Sequence, residues 1–184
     1  MEYLVAGLAL VAAVTVLNVV LTLALVHRWR ARMSGPPDAH HHSPELGIAP
    51  GDRMPGFTAI TADGTTVTRD ELAGRPVLIA FLSLDCEACD SSVPEFGERA
   101  RRVRDAGGLV LATVVGVDAA ESELVARLVD LVDHVVPEFL DSPVGALFGV
   151  RFYPGFAYYD PDGIATATSI GLQGLGETAQ PLVP

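Results

Sequence analysis

The stretch Val77-Leu78-Ile79-Ala80-Phe81-Leu82-Ser83-Leu84-Asp85-Cys86-Glu87-Ala88-Cys89 decides how this 184-residue chain reads. Its first six residues are uninterruptedly apolar, the pattern of a strand buried on both faces. The only two cysteines of the chain then follow, spaced C-x-x-C, and from Asp90 onward the residues suit a helix. A dithiol at a strand-to-helix junction lies among unpaired backbone N–H groups at the positive end of the helix dipole. Both favour the thiolate, which is the species that performs disulfide exchange. Cys86 is therefore the candidate attacking thiolate. Cys89, three residues along, is the candidate thiol that resolves the mixed disulfide.

Outward from this junction, residues 57–60 and 65–67 read as two short strands joined at Asp63-Gly64. Thr68 and Glu71 have capping-box spacing for a short helical turn that Gly74 ends. Residues 76–84 form the first long strand, and the helix from Cys86 runs to about Asp105, ahead of Gly107-Gly108. Residues 109–117 are nearly continuous apolar and β-branched, as in a central parallel strand. A helix is predicted over 119–134 with Leu124, Leu128 and Leu131 facing inward, then a short strand at Val135-Val136 and a brief helix over 144–148. Residues 156–159 and 164–168 make a hairpin across Asp160-Pro161-Asp162-Gly163. Strand and helix alternate, so the fold class is α/β, a mixed central sheet flanked by helices. Residues 171–184 have no helical face and read as irregular.

Three stretches in this order resemble the thioredoxin-like fold of membrane-anchored disulfide reductases (TlpA/ResA type, redoxin group), most like the MauD-like proteins. They are Phe57-Thr58-Ala59-Ile60 through Asp63-Gly64 to Glu71-Leu72-Ala73-Gly74-Arg75-Pro76; Phe81 to Cys89 with Val93-Pro94-Glu95; and Gly149-Val150-Arg151-Phe152-Tyr153-Pro154 leading to Asp160-Pro161-Asp162-Gly163. The resemblance implies that the chain is a thiol-disulfide oxidoreductase, with no cofactor and a protein disulfide or dithiol as partner. It implies that Pro154 is the cis-proline facing the dithiol and that Pro94 kinks the active-site helix. A cis bond there would leave the backbone of Tyr153 free to pair with an extended substrate segment, the alternative being a trans proline that opens a strand. With Tyr153, the acidic neighbours Asp85 and Glu87 are the candidate substrate-binding residues.

The chain departs from a general-purpose thioredoxin in four places. Asp85 stands where tryptophan is usual, Glu87-Ala88 where Gly-Pro or Pro-Pro is common, and Asp90 where a basic residue is frequent. Ala80 takes the place of the buried acid that assists proton transfer. The helix terminus favours the Cys86 thiolate by about 0.3–1 kcal/mol, and carboxylates at 85, 87 and 90 oppose it. The pair is thus expected to be reducing or mildly oxidising, with a preference for neutral or basic substrates.

Residues 4–26 contain no charged side chain, enough to cross the ~30 Å hydrocarbon core as a helix. A cleaved signal peptide fits poorly, since the segment lacks a basic leader and a small-x-small cleavage site. Thr15, Asn18 and Thr22 share one helical face that can bond a neighbouring helix, or their own backbone. The expected organisation is a single-pass cell-membrane anchor with its basic flank at 1–32, a linker at 33–50, a thioredoxin-like domain at 51–175 and a tail at 176–184. Arg28, Arg30 and Arg32 place the domain on the cytoplasmic side, whereas the family resemblance places it outside the cytoplasm, so the side stays open. The bilayer is thus a partner through residues 4–26, and a membrane electron donor or acceptor is a further candidate. The His40-His41-His42 run reads as solvated tether.

Composition narrows the remaining classes. From Leu46 onward, nine arginines face twenty acidic residues, a net charge of −11, which argues against nucleic acid. A zinc site needs about four ligands, and two cysteines with His134 far along the chain do not supply them. A copper-delivering relative usually has three residues between its cysteines, not two. A peroxiredoxin-like antioxidant would use Pro-x-x-x-Thr-x-x-Cys, and Ile79 and Ser83 hold those two positions. A structural disulfide, or a redox-inactive interaction module of a membrane complex, is the alternative outside enzymology.

Overall fold

The computed structural model describes residues 46–176 and Thr15, which is helical and exposed. The chain divides into two compact units, Met1–His41 and His42–Pro184, and every described residue but Thr15 belongs to the second. The expected membrane span, most of the linker and the tail beyond 176 lie outside the described residues. Among those described, no helix is long and apolar enough to cross a membrane.

In chain order the elements are β1 (Thr58–Ile60), β2 (Thr66–Thr68), α1 (Arg69–Leu72), β3 (Val77–Ser83), α2 (Glu87–Asp105), β4 (Leu109–Val115), a 3-10 turn (Ala119–Glu121), α3 (Glu123–Val129), β5 (His134–Glu138), α4 (Pro143–Leu147), β6 (Gly155–Tyr159), β7 (Ala165–Ile170) and a second 3-10 turn (Leu172–Leu175). β1 and β2 pair by themselves, and the main sheet has the order β5-β4-β3-β6-β7. β3, β4 and β5 run parallel, and β6 and β7 antiparallel to their neighbours. β3 is central, bonded to β4 on one side and β6 on the other, which explains why its sequence is apolar without alternation.

The sheet has a core on each face. Leu78, Ala80 and Leu82 point to one, with Val93, Phe96 and Ala100 of α2 and Leu124 and Leu128 of α3. Val77, Ile79 and Phe81 point to the other, with Val67, Leu72, Val144 and Phe148. Phe96 of α2 meets Phe156 of β6 with ring centroids 5.8 Å apart, so the helix that begins at the cysteines is clamped to the sheet by an aromatic pair. The Thr68 capping box is present: Glu71 N–H donates to its hydroxyl and Thr68 N–H to the Glu71 carboxylate.

Three segments differ from the sequence expectation. The helix expected over 119–134 is split, because Ser122 starts a new helix by accepting from the Val125 N–H at 3.2 Å. It also ends early, because the chain must turn to let His134 pair with Leu111. Asp133 secures that turn by accepting from Val110 N–H at 2.8 Å; Leu124 and Leu128 are buried as expected, Leu131 only in part. Residues 172–175 are not irregular, since Leu172 and Leu175 bury against α2's face of the sheet. Leu46 and Ile48, at the end of the expected linker, are buried in the other core. Between them Gly47 passes so close to Gly149 that no Cβ fits.

Candidate active site

β3 delivers the chain to the site. Past Ser83, Leu84 N–H donates to the Val115 carbonyl at 3.0 Å, and the Leu84 side chain fills the space a Cβ on Gly116 would take. Cys86 then leaves the strand with φ −128° and ψ 100°, as the N-cap of α2. Its Sγ accepts from the Cys89 N–H at 3.1 Å, and its carbonyl from Cys89 and Asp90 N–H at 2.9 and 3.3 Å. The first sulfur thus takes the place that a serine or aspartate oxygen takes at an ordinary helix start, where orphan amide donors favour negative charge.

Cys86 and Cys89 are joined as a disulfide with Cα atoms 5.2 Å apart. Cys86 is half-buried, whereas Cys89 is fully buried. The asymmetry leaves one sulfur open to an incoming partner and keeps the other behind it. Pro94 lies within α2, and Ala80, in mid-β3, is fully buried between Ala112 and Phe156 with nothing titratable in its place.

The Tyr153–Pro154 peptide bond is cis. β6 begins at the next residue, with Gly155 opposite Phe81 in the antiparallel register with β3. Continuing that register places Pro154 opposite Leu82, so the cis bond and the strand end leading to Cys86 share one edge of the sheet. Pro154 is buried and its carbonyl accepts from Gly171 N–H at 3.0 Å. Tyr153 is half-buried and touches both cores. Among the described residues its own backbone N–H and carbonyl are unpaired. Leu46 fills the space a Cβ on Gly155 would need, so the segment before the domain packs under the start of β6.

The charges around Cys86 do not act as one group. Asp85 and Glu87 are exposed, but Asp90 is ion-paired with Arg127 of α3. The expected opposition of three carboxylates to the helix dipole therefore falls mainly to two.

A further acid escaped the sequence analysis. Glu138 ends β5, is 5% exposed, and accepts from Val144 N–H at 2.6 Å, Gly145 N–H at 3.4 Å and the Ser142 hydroxyl at 3.1 Å. Burial holds its carboxyl above the ordinary carboxylate range, with Asp141 adding to the effect and the three hydrogen bonds opposing it. The signal was a lone acid inside the apolar run Val135-Val136-Pro137-Glu138-Phe139-Leu140. Among the described residues, no three His, Cys, Asp or Glu side chains converge as metal ligands would.

Residues 50–164 match the sequence profile of the AhpC/TSA family. The thioredoxin-like protein YneN of Bacillus subtilis is 24% identical over 139 residues, covering 75% of this chain and 81% of that protein. The thioredoxin domain of a thiol-disulfide oxidoreductase from Bacteroides vulgatus superposes with a TM-score of 0.60 at 19% identity, over 70% of this chain and 93% of its own. A secreted Mycobacterium tuberculosis disulfide oxidoreductase homologous to E. coli DsbE gives a TM-score of 0.55 at 21% identity, over 66% and 87%. The fold is thioredoxin-like, and the solved structures that share it include thiol-disulfide oxidoreductases.

Proposed function

The chain belongs to the AhpC/TSA family, and on that footing we propose that it is a thiol-disulfide oxidoreductase that exchanges disulfides with a protein substrate through Cys86 and Cys89. One observation carries this reading. A half-buried sulfur caps α2, a buried sulfur lies behind it, and the cis Tyr153–Pro154 bond shares their sheet edge.

In the reducing direction, the Cys86 thiolate attacks one sulfur of a substrate disulfide. That S–S bond breaks, and the departing thiolate takes a proton from solvent. Cys89 then gives up its proton and attacks the Cys86 sulfur. The Cys86–Cys89 disulfide forms, and the substrate leaves as a dithiol carrying two electrons. The extended substrate segment lies along Tyr153, whose backbone polar groups are available for strand-like pairing, with Pro154 holding that edge in place. Asp85 and Glu87 favour substrates with neutral or basic flanks. The apolar stretch 4–26 supports a single-pass membrane tether, and a dithiol donor in or near the membrane would restore the reduced pair. The resemblance of the three quoted stretches supports a place among the TlpA/ResA-type and MauD-like proteins.

A peroxidase is the less favoured reading within the same family. Position 79, where its motif needs proline, lies mid-β3 between Leu111 and Ala157, where a proline would cost a ladder bond; the chain has Ile79 there, and Ser83 in place of the threonine.

The test is reduction of insulin by dithiothreitol with the full-length protein in detergent. Precipitation of the insulin chains should begin earlier with the protein, and Cys86→Ser should abolish the acceleration. An onset no earlier than with dithiothreitol alone would leave a redox-inactive module as the better reading.

A further inference from the structure

We propose that Glu138 is a positioning residue for the exchange site: its buried carboxylate ties down Ser142 and the start of α4, and through them holds Tyr153, the residue before cis-Pro154. The proposal rests on the disulfide-exchange reading above.

Glu138 lies in the row of the sheet that leads to the dithiol. It is opposite Val115 on β4, and Val115 is opposite Ser83 on β3, three residues ahead of Cys86. Its main-chain carbonyl accepts from Gly116 N–H at 3.0 Å, the glycine on which Leu84 rests. Main chain and side chain therefore serve the same edge.

The carboxylate gathers three donors from the four-residue stretch 142–145, and among the described residues it has no basic partner. A buried acid is costly unless its hydrogen bonds are made, and each bond to a charged acceptor is stronger than a neutral one. The return is a fixed turn. Ser142 has φ +43°, a left-handed conformation that residues other than glycine seldom keep. Its hydroxyl, directed at Glu138, gives that conformation a bond it would otherwise lack. Gly145 completes the turn. A Cβ at this position would collide with the Ser142 hydroxyl, and would lie 3.6 Å from the Tyr153 hydroxyl. The phenol of Tyr153 therefore rests over the turn that Glu138 anchors. From Tyr153 the chain passes directly through the cis bond into β6.

A merely structural acid would affect all reactions of the dithiol alike. A positioning acid affects those that use the Tyr153 edge. A protein disulfide lies along that edge, whereas a small aromatic disulfide needs only the Cys86 sulfur. The experiment compares insulin with 5,5′-dithiobis(2-nitrobenzoate) as substrates of the full-length protein. For Glu138→Ala, KM for insulin should rise roughly tenfold, with kcat and the rate on the small disulfide within about twofold of wild type. Glu138→Gln keeps an acceptor for the Val144 amide and should recover most of the lost KM. An unchanged insulin KM in a folded Glu138→Ala protein overturns the proposal, as does an equal loss on both substrates. Should that variant fail to fold, Ser142→Ala, which removes a single hydroxyl, decides in its place: a raised insulin KM with normal small-disulfide chemistry supports the role, and no change refutes it. A wild-type protein that reacts with the small disulfide but never with insulin defeats the exchange reading, and this proposal with it.

Discussion

Arg127 of α3 pairs with Asp90, the residue after the second cysteine, with Nη1 2.5 Å from the carboxylate oxygen. Both side chains are substantially exposed, so the pair contributes little to stability. Its consequence is electrostatic. Removing Arg127 restores a full negative charge beside the dithiol and disfavours the Cys86 thiolate. Arg127→Gln should slow alkylation of reduced Cys86 at neutral pH and make the pair about 10–20 mV more reducing at low salt, less at high salt. Equilibration against glutathione measures the shift; a more oxidising variant would contradict this account of the site. The wild-type potential should itself lie well on the reducing side of a DsbA-type oxidant, about −120 mV.

Phe96 supports the site from below. It is fully buried on α2 against Phe156 of β6, and truncating such a ring costs about 3–5 kcal/mol. Phe96→Ala should lower the denaturant midpoint by a corresponding amount and weaken the seating of α2 on the sheet. A loss under about 1 kcal/mol would mean that the helix is held elsewhere.

Glu138 gives the protein a specific pH dependence. Its carboxyl is raised above 4.5, burial being the largest cause, so the folded state binds its proton more tightly than the unfolded chain does. Stability from this group is fully present below the unfolded value and is lost as pH rises through the folded one. The denaturant midpoint of the wild type should therefore decline over that interval relative to Glu138→Gln, which has no proton to lose. Parallel midpoint curves for the two proteins would refute the assignment.

Asp63 has the opposite sign. The Thr61 hydroxyl, then the Thr65 amide and hydroxyl, hold its carboxyl at about 2. Its contribution is present above 3.8 and is lost as pH falls toward the lowered value. Asp63→Asn should flatten the acid limb of the stability curve below pH 4, with its deficit against wild type present at neutral pH and closing as the pH falls. NMR titration of the Asp63 carboxyl reads the same effect directly.

Much of the molecule was legible because local signals agreed with tertiary structure. The apolar run of β3 announced a strand buried on both faces, Thr68 and Glu71 announced a capping box, and Asp160 to Gly163 announced a hairpin turn. Cys86 and Cys89 stood out by chemistry alone. The failures were of range. Helical periodicity over 119–134 said nothing of Asp133, whose partner Val110 lies on a neighbouring strand. Leu46 looked like tether because its contact, Gly155, is far along the chain. Arg127 was invisible for the same reason, its partner being on another helix; Glu138 showed only as a lone acid in an apolar run, because its donors converge only after the turn at Ser142 has formed.

The central claim is that Cys86 meets the substrate and Cys89 releases it. Full-length Cys89→Ser protein, incubated with a disulfide-containing protein and separated on a non-reducing gel, tests this most directly. The account predicts an adduct through Cys86 that dithiothreitol dissolves and that Cys86→Ser never forms. Adduct formation through Cys89 in the Cys86→Ser protein, with none through Cys86, would contradict it.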